Sequence, residues 1–312
     1  MNLLAVTAQI LLIALASPLL VGLMRQVRNR LEGRVGAGIG QPWRDLRKLM
    51  RKQATTPHGT TWVFAAAPIV LAAGTLAVAA VVPFALLTSP LDGAADLIAV
   101  TALLALGTAA LALAGLDSGT AFGGMGASRE MTVMALAEPT LLMAVFAVSV
   151  PVGSTNLGDI AASHLAAPAE IASPMGLLAA VALAVVTVAE SGRIPVDNPS
   201  THLELTMIHE AMILEYSGPD LALIEWASGM RMSILLGLWA TLFVPWGLTL
   251  AWPLALLLLA VKVAVLGTIL AAAEVFLAKL RLFRIPELLA GSFLLALLAV
   301  VASFFLADGV GA

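Results

Sequence analysis

Seven ionisable side chains lie inside or beside the apolar stretches of this 312-residue chain. Burying a charge near a bilayer costs ~2.5–3.5 kcal/mol on insertion scales, so such groups usually handle ions, protons or a polar partner. Acids spaced along a membrane interior can act as successive protonatable stations. We therefore predict a proton or ion path along Glu130, Glu138, Glu204, Glu210, Glu215, Lys262 and Glu274.

The alternative is that these charges form buried ion pairs that only fix helix packing. Lys262 and Glu274 lie on one predicted helix, about 18 Å apart at ~1.5 Å rise per residue, which is too far for a direct pair. Each must find a partner on another helix or face water. Arg129 immediately precedes Glu130 and is its expected partner.

A segment rich in polar residues, 190–218, interrupts the otherwise apolar sequence. Pro195 and Pro199 disfavour helix in the residues before them, and either Asn198 or Thr201 can cap a new helix after the break. That helix is predicted to end at Tyr216, before a Ser-Gly-Pro stop. Its apolar intervals favour partial burial, which raises the pKa of a carboxyl group. A surface helix with solvated acids is the alternative.

Metal and nucleotide sites are not expected in this chain. His202 and His209 share a helix face, but their spacing matches no usual metal motif. The sequence has no cysteine, which excludes disulfides, Fe–S ligation and thiolate chemistry within it. The glycines of residues 119–126 do not follow a strand, so they do not form a phosphate loop. We assign no catalytic residue and expect no nucleic-acid partner.

The elements that must position these residues are membrane helices. The chain is 61% hydrophobic and 11% charged, and apolar runs long enough to cross ~30 Å of hydrocarbon recur along it. We predict an all-α, polytopic membrane protein that forms one integral membrane domain over residues 1–312. About eight spans are predicted, with a polar cytoplasmic helix between the fifth and the sixth. The spans are Leu3–Met24, Trp62–Leu87, Ala94–Leu116, Met131–Val152, Pro174–Glu190, Ser228–Val244, Pro253–Leu277 and Pro286–Ala307.

Charge asymmetry orients these spans. The odd-numbered loops hold every lysine and arginine except Lys262, and the opposite side carries acids alone. Because basic loops stay in the cytoplasm, both termini are predicted to face outward across a prokaryotic cytoplasmic (inner) membrane. Secondary transporters often show repeated halves with paired broken helices. One broken region and no internal repeat argue against that class here.

Four motifs carry a resemblance to a known family. They are Arg193-Ile-Pro-Val-Asp197 with the polar segment that follows it, Leu31 to Leu49 around Arg34 and Gln41, Gly126 to Pro139 around Glu138, and Lys279 to Glu287. In this order and placement the chain resembles the membrane anchor subunit of energy-converting nickel–iron (NiFe) hydrogenases and formate hydrogenlyase. That subunit is homologous to the quinone-chamber subunit of respiratory complex I, NADH dehydrogenase subunit 1.

The resemblance implies a non-redox subunit that docks a peripheral redox arm and couples it to proton or sodium movement. It implies no cofactor in this chain, with the NiFe site and Fe–S clusters in partners. These partners are the hydrogenase large and small subunits, an Fe–S protein and antiporter-like membrane subunits, besides the lipid bilayer. The docking positions carried over are Arg34, Gln41, Asp45, Arg193, Asp197, Arg281, Arg284 and Glu287.

One departure separates the branches of that family. Complex I subunits typically carry Arg-Ala-Pro-Phe-Asp-Leu followed by closely spaced acids. Here Arg193-Ile-Pro-Val-Asp197 is followed by Asn-Pro-Ser-Thr-His, and several of those acids are missing. The missing acids lie near the quinone chamber, so the resemblance favours the hydrogenase-type branch. A complex I quinone-chamber subunit, a stand-alone transporter and a passive anchor stay open as alternatives.

Overall fold

A computed structural model of the chain describes residues 2–87, 91–197 and 207–309. Within these ranges the backbone forms twelve α-helices and short 3-10 turns at Asp92–Ala94 and Leu282–Arg284. The helices are α1 (Asn2–Leu31), α2 (Gln41–Leu49), α3 (Trp62–Val81), α4 (Leu97–Asp117), α5 (Ala121–Ser149), α6 (Leu157–Ala166), α7 (Pro168–Ile171), α8 (Pro174–Glu190), α9 (His209–Ile213), α10 (Gly218–Phe243), α11 (Trp252–Phe276) and α12 (Ile285–Gly309).

The helices confirm an all-α membrane architecture. Seven segments in the described part of the chain are long and apolar enough to cross a bilayer. The remaining predicted span, fifth in chain order, is α8, which has 17 residues and is therefore about 25 Å long. It is shorter than the others but apolar up to its last residue, Glu190, so the prediction of about eight spans agrees with the structure.

Three helices extend beyond their predicted spans. α1 continues to Leu31, α5 begins at Ala121 and α10 begins at Gly218. The side chain of Thr120 caps α5 by accepting a hydrogen bond from the Gly123 amide at 3.2 Å. The apolar pattern identifies only the part of a helix that contacts lipid or the core. The helix itself can continue through polar residues until it reaches its cap. The predicted starts of the fourth and sixth spans were therefore too late.

The predicted polar helix lies partly outside the described residues, because residues 198–206 are not among them. Its described part, α9, has five residues and ends at Ile213 rather than Tyr216. The Tyr216 side chain instead anchors the following turn. Its ring stacks on Phe64 with centroids 4.0 Å apart, and its hydroxyl donates to the Phe64 carbonyl at 2.7 Å.

Close packing fixes α9 against α5. A side chain at Gly126 would place its Cβ 2.8 Å from the Ala211 Cβ and 3.0 Å from the Met212 backbone nitrogen. Only a glycine permits this approach. Among the long helices α10 is the most enclosed, and α1, α3, α8 and α11 pack around it. α9 packs against α5 and α4, beside this central helix.

Candidate functional site

A cavity of about 160 Å³ opens between α1, α2, α9, α10 and the end of α8. We call it the chamber. Its wall contains six carboxylates, three arginines and one histidine, whereas most of the chain is apolar. These ionisable residues are Arg25, Asp45, Glu130, Glu190, Arg193, Asp197, His209, Glu210, Glu225 and Arg231.

A glycine turn brings two of these side chains together. α8 ends at Glu190, and Gly192 follows with a φ of 58°, a left-handed conformation that glycine adopts without strain. The amides of Gly192 and Arg193 donate to the Ala189 and Val188 carbonyls, each at 3.1 Å. This is the Schellman arrangement that ends many helices. It turns the chain back so that Glu190 and Arg193 both line the chamber.

Arg231 links two acids inside the bundle. Its guanidinium donates to the Glu190 carboxylate and lies 3.9 Å from a Glu138 oxygen. It also donates to the Leu104 carbonyl at 3.0 Å and to the Thr108 hydroxyl at 2.5 Å. Neither Glu138 oxygen has a hydrogen-bond partner among the described residues. Glu138 is thus held next to the chamber mainly by one positive charge.

Sequence analysis placed Arg231 in a cytoplasmic loop, and the structure corrects this. Arg231 lies well inside α10 and is only 6% exposed. The predicted sixth span, Ser228–Val244, already contains this position, so the error lay in counting Arg231 with the loop charges. An isolated buried arginine would be very costly, whereas its contacts with two carboxylates and two helix oxygens satisfy it.

Arg193 and Glu274 form a second buried contact. An Arg193 nitrogen lies 3.6 Å from one Glu274 oxygen, and an Arg28 nitrogen lies 3.9 Å from the other. Burial lowers the pKa of the Arg193 guanidinium, and the Glu274 carboxylate opposes that shift. Glu274 therefore reaches the chamber wall through Arg193, although it does not line the cavity itself.

Asp197 organises the start of α9. One of its oxygens lies 2.8 Å from the Lys279 ammonium, and the other accepts from the amides of Ile208 and His209 at 3.3 and 3.2 Å. Carboxylates favour this position because helix N-terminal amides lack partners. Arg193 and Asp197 were both predicted as docking positions. Both are buried in the chamber wall rather than exposed.

The mouth of the chamber carries groups that titrate away from their ordinary range. Burial raises the pKa of Glu210 to about 7, and the nearby Glu225 and Asp197 carboxylates add to the shift while Arg25 opposes it. Burial lowers the pKa of the His209 imidazole, and Asp197 opposes that change. A carboxyl that titrates near neutrality can both accept and release a proton there.

The other predicted path residues have different positions. Glu130 lines the chamber from α5, whereas Glu215 is half-buried and does not line it. The Lys262 ammonium donates to the carbonyls of Val244 and Trp246, just beyond the far end of α10. Glu204 and His202 lie outside the described residues. The structure thus brings together Glu130, Glu138, Glu210 and Glu274, and it separates Lys262 from them.

Arg129 was the expected partner of Glu130. Its guanidinium donates to the Met207 carbonyl at 2.7 Å and so ties α5 to the segment before α9. Glu130 instead faces the chamber. Neighbouring residues on a helix point in different directions, so adjacency in sequence was a poor guide to this pair.

The remaining docking positions lie at or near the surface. Arg34, Arg281, Arg284 and Glu287 are exposed. Gln41 donates to Asp45 at 2.9 Å, and Asp45 lies 4.0 Å from Arg25 at the chamber mouth. α2 therefore presents Gln41 and Asp45 where the chamber meets the outside of the bundle.

Sequence reasoning missed five chamber residues: Arg25, Glu190, His209, Glu225 and Arg231. One signal was available for Arg231, because a buried Glu138 needs a counter-charge and Arg231 stands in an otherwise apolar run. Glu190 and Glu225 looked like ordinary helix-end acids. Across the described ranges, no group of three or more potential metal ligands is positioned to hold an ion.

Comparison with known proteins gives consistent matches across the chain. A family model described as NADH dehydrogenase matches residues 3–305. Hydrogenase-4 component C of Escherichia coli (strain K12) is 35% identical, over 84% of this chain and 82% of that protein. Formate hydrogenlyase subunit 4 of the same organism is 33% identical, over 94% of this chain and 96% of that protein.

More distant matches extend the comparison. A membrane subunit of the NADH-quinone oxidoreductase of Syntrophobacter fumaroxidans is 31% identical, over 76% of this chain and 75% of that protein. A chain in the structure of the membrane-bound sulfane sulfur reductase, an archaeal respiratory membrane complex, matches with a TM-score of 0.77 and 20% identity. It covers 97% of this chain and 99% of that chain, and at this identity the match shows a shared fold.

Proposed function

Because this chain belongs to the NADH dehydrogenase family of membrane subunits, we propose that it serves a hydrogenase complex of the formate hydrogenlyase type. In this role it is a non-redox subunit that docks a peripheral arm. It couples electron transfer in that arm to translocation of protons or sodium ions. The names of its hydrogenase-4 and formate hydrogenlyase relatives support this branch of the family.

The charged chamber is the observation that carries the proposal. Its six carboxylates outnumber its three arginines, so the set as a whole favours retaining protons in a low-dielectric interior. Glu210 has a pKa of about 7, and Glu130 lines the same cavity. Arg231 then connects Glu190 to Glu138 within the bundle. These groups support a path for protons from the mouth toward the membrane interior.

The electron carriers belong to partner subunits in this proposal. The NiFe site lies in the hydrogenase large subunit, and the Fe–S clusters lie in the small subunit and an Fe–S protein. Antiporter-like membrane subunits contribute further ion transport. The chain resides in a prokaryotic cytoplasmic membrane with both termini outward, which the grouping of basic residues in odd-numbered loops supports.

The complex I quinone-chamber subunit is the second candidate. The match to an NADH-quinone oxidoreductase subunit supports a common ancestry of the two kinds of complex. The departure after Asp197 favours the hydrogenase type. Hydrogen evolution by the purified complex, compared with quinone reduction, separates the two functions.

Glu138→Gln tests the coupling role directly. Glutamine keeps the size and hydrogen bonding of Glu138 but cannot titrate, so ion uptake into vesicles should fall roughly tenfold or more, within the range that positioned proton transfer supplies. The complex should remain assembled. Glu215→Gln is the matched control, because this half-buried carboxylate does not line the chamber.

A purely structural role makes the opposite prediction for the same residue. Gln at position 138 would be tolerated, and Glu138→Leu would damage assembly because Arg231 would lose one of its two acids. Subunit retention and ion uptake are therefore measured for both variants. Wild-type uptake by Glu138→Gln would exclude Glu138 from the path.

A further inference from the structure

A second cavity, separate from the chamber, opens toward the bilayer beside α2. It has a volume of about 640 Å³ and is formed by α1, α2 and α10. Its wall combines three arginines, Arg44, Arg47 and Arg51, with two tryptophans, Trp43 and Trp226. We call it the α2 pocket. Its volume is in the range of sites that hold molecules of several hundred daltons.

A proline in α1 explains why the tryptophans lie here. Pro18 has no amide hydrogen, so the Ala14 carbonyl loses its usual partner within the helix. The Trp226 indole donates to that carbonyl at 2.8 Å, and the Trp43 indole donates to the next one, Leu15, at 3.1 Å. The two rings thus pin α10 and α2 to α1 and hold the pocket open beneath α2.

All the charged side chains that line the α2 pocket are positive. Its lining contains no carboxylate, and no acid within the described ranges lies within 4.0 Å of the Arg44, Arg47 or Arg51 guanidinium. All three arginines are exposed. Asp45 points away from them, toward Arg25 and Gln41. The arginines are therefore available to an anion from outside the chain.

The lower wall of the pocket is apolar. Leu15 of α1 is 55% exposed and Met50 is 51% exposed, and the two tryptophan rings line the pocket with them. Tryptophan favours the boundary between lipid headgroups and hydrocarbon. A ligand that fits must present negative charge at one end and hydrocarbon at the other. Membrane phospholipids with an anionic headgroup have this form.

We propose that the α2 pocket binds an anionic phospholipid from the leaflet on the side of the basic first loop. The phosphate faces Arg44, Arg47 and Arg51, and the acyl chains descend past Trp226 along Leu15. Basic pockets between membrane helices bind such headgroups in this way. The amphipathic α2 lies over the lipid, as interfacial helices do on a bilayer surface.

The bound lipid has a second effect, because the two cavities share part of a wall. Leu46 and Trp226 line both the chamber and the α2 pocket. Acyl chains packed on the outer side of these two residues close the chamber toward the bilayer. The lipid thereby limits exchange between the charged groups and the surrounding membrane. Its binding does not depend on which ion the chamber conducts.

The test uses the membrane complex that contains this chain, purified in detergent and stripped of lipid. Phosphatidylglycerol is added, with zwitterionic phosphatidylethanolamine as the comparison, and binding is followed by native mass spectrometry and by the shift in melting temperature. Wild type should bind phosphatidylglycerol preferentially. The double variant Arg47→Gln/Arg51→Gln should bind it about tenfold more weakly or worse, since each basic group near an anionic lipid contributes substantially.

Lys48→Gln/Lys52→Gln is the matched control. It removes the same charge from the same stretch of chain, but neither lysine lines the pocket. Its binding should stay within about twofold of wild type, because a specific site depends on position rather than on net charge. Equal losses in both double variants would show only diffuse attraction to a basic surface and would overturn the proposal. Unchanged binding in Arg47→Gln/Arg51→Gln would overturn it as well. If Arg47→Gln/Arg51→Gln releases a partner subunit while phosphatidylglycerol binding is unchanged, the proposal is also overturned, since the arginines would then bind an acidic protein.

Discussion

Arg231 shows how individual residues in the chamber depend on one another. Its single positive charge contacts Glu190 and Glu138, and it also bonds to two oxygens of α4. Removing one member of a buried ion pair typically costs about 3–5 kcal/mol, because an uncompensated charge remains, whereas replacing the whole pair costs far less. Because two carboxylates share one guanidinium, a proton can pass from one carboxylate to the other while the remaining chamber residues keep their contacts.

Glu210 should give the protein a distinctive pH dependence. Its pKa rises from 4.5 to about 7 on folding, so the folded chain keeps a proton that the unfolded chain releases between these values. The stability from the neutral carboxyl is therefore complete below about pH 4.5 and is lost as pH rises through about 7. As the pH rises from about 5 to about 8, we expect the melting temperature of Glu210→Gln to increase relative to that of the wild type. An identical pH dependence in the two proteins would contradict this assignment.

At the scale of single residues, sequence reasoning found Glu138 but missed Arg231, the base that contacts it. Glu138 is conspicuous because it interrupts an apolar run. Arg231 was counted with the loop charges, whereas its neighbours in space come from α4, α5 and α8. Which acid meets which base depends on helix packing. Charge and burial can be predicted residue by residue, whereas pairing cannot.

At the scale of helices, the apolar pattern failed in the region where the chamber lies. The first ten residues of α5 and of α10 were assigned to loops, although both stretches are helical. They carry polar groups because one side faces the chamber or the bundle interior rather than lipid. Hydropathy identifies helix segments that contact lipid. It therefore fails to identify a segment whose polar side faces the interior of the bundle. α4 begins and ends within three residues of its predicted span, whereas α3 ends at Val81, six residues before the predicted end at Leu87.

The contact between Pro18 and Trp226 offers a test at this scale. Trp226→Phe removes the donor to the buried Ala14 carbonyl and should cost about 1–3 kcal/mol, since that oxygen is left without a partner. Pro18→Ala restores an amide that can bond to the same carbonyl. We therefore expect Trp226→Phe to cost clearly less in a Pro18→Ala background. Unfolding of all four proteins in detergent measures the coupling, and strictly additive effects would contradict it.

For the whole molecule, the positions of basic and exposed residues describe a subunit built to meet a partner on one side. The loop before α2 and the segment that leads into the first turn of α12 carry exposed charges of both signs, such as Arg34, Arg284 and Glu287. Phe283 lies between Arg281 and Arg284 and is 87% exposed. Mixed charge around an exposed aromatic ring is typical of the rim and anchor of a protein interface. The order of the spans followed from composition, because a membrane-spanning segment must be a long apolar helix, and the cytoplasmic side of these loops is a prediction from their basic residues.

The docking role predicts that Arg281→Glu/Arg284→Glu releases the peripheral arm from washed membranes. Both arginines are exposed, and no ion pair joins either to an acid in the described ranges, so their reversal should leave the fold intact. Like charges set against each other across an interface cost several kcal/mol, whereas the neutral variant Arg281→Gln/Arg284→Gln should only weaken the contact and make it sensitive to salt. Retention of the arm is measured by its activity on the membrane after washing, and the melting temperature of the membrane part controls for folding. Full retention by the charge-reversed variant, with unchanged hydrogenase activity, would remove this loop from the docking surface.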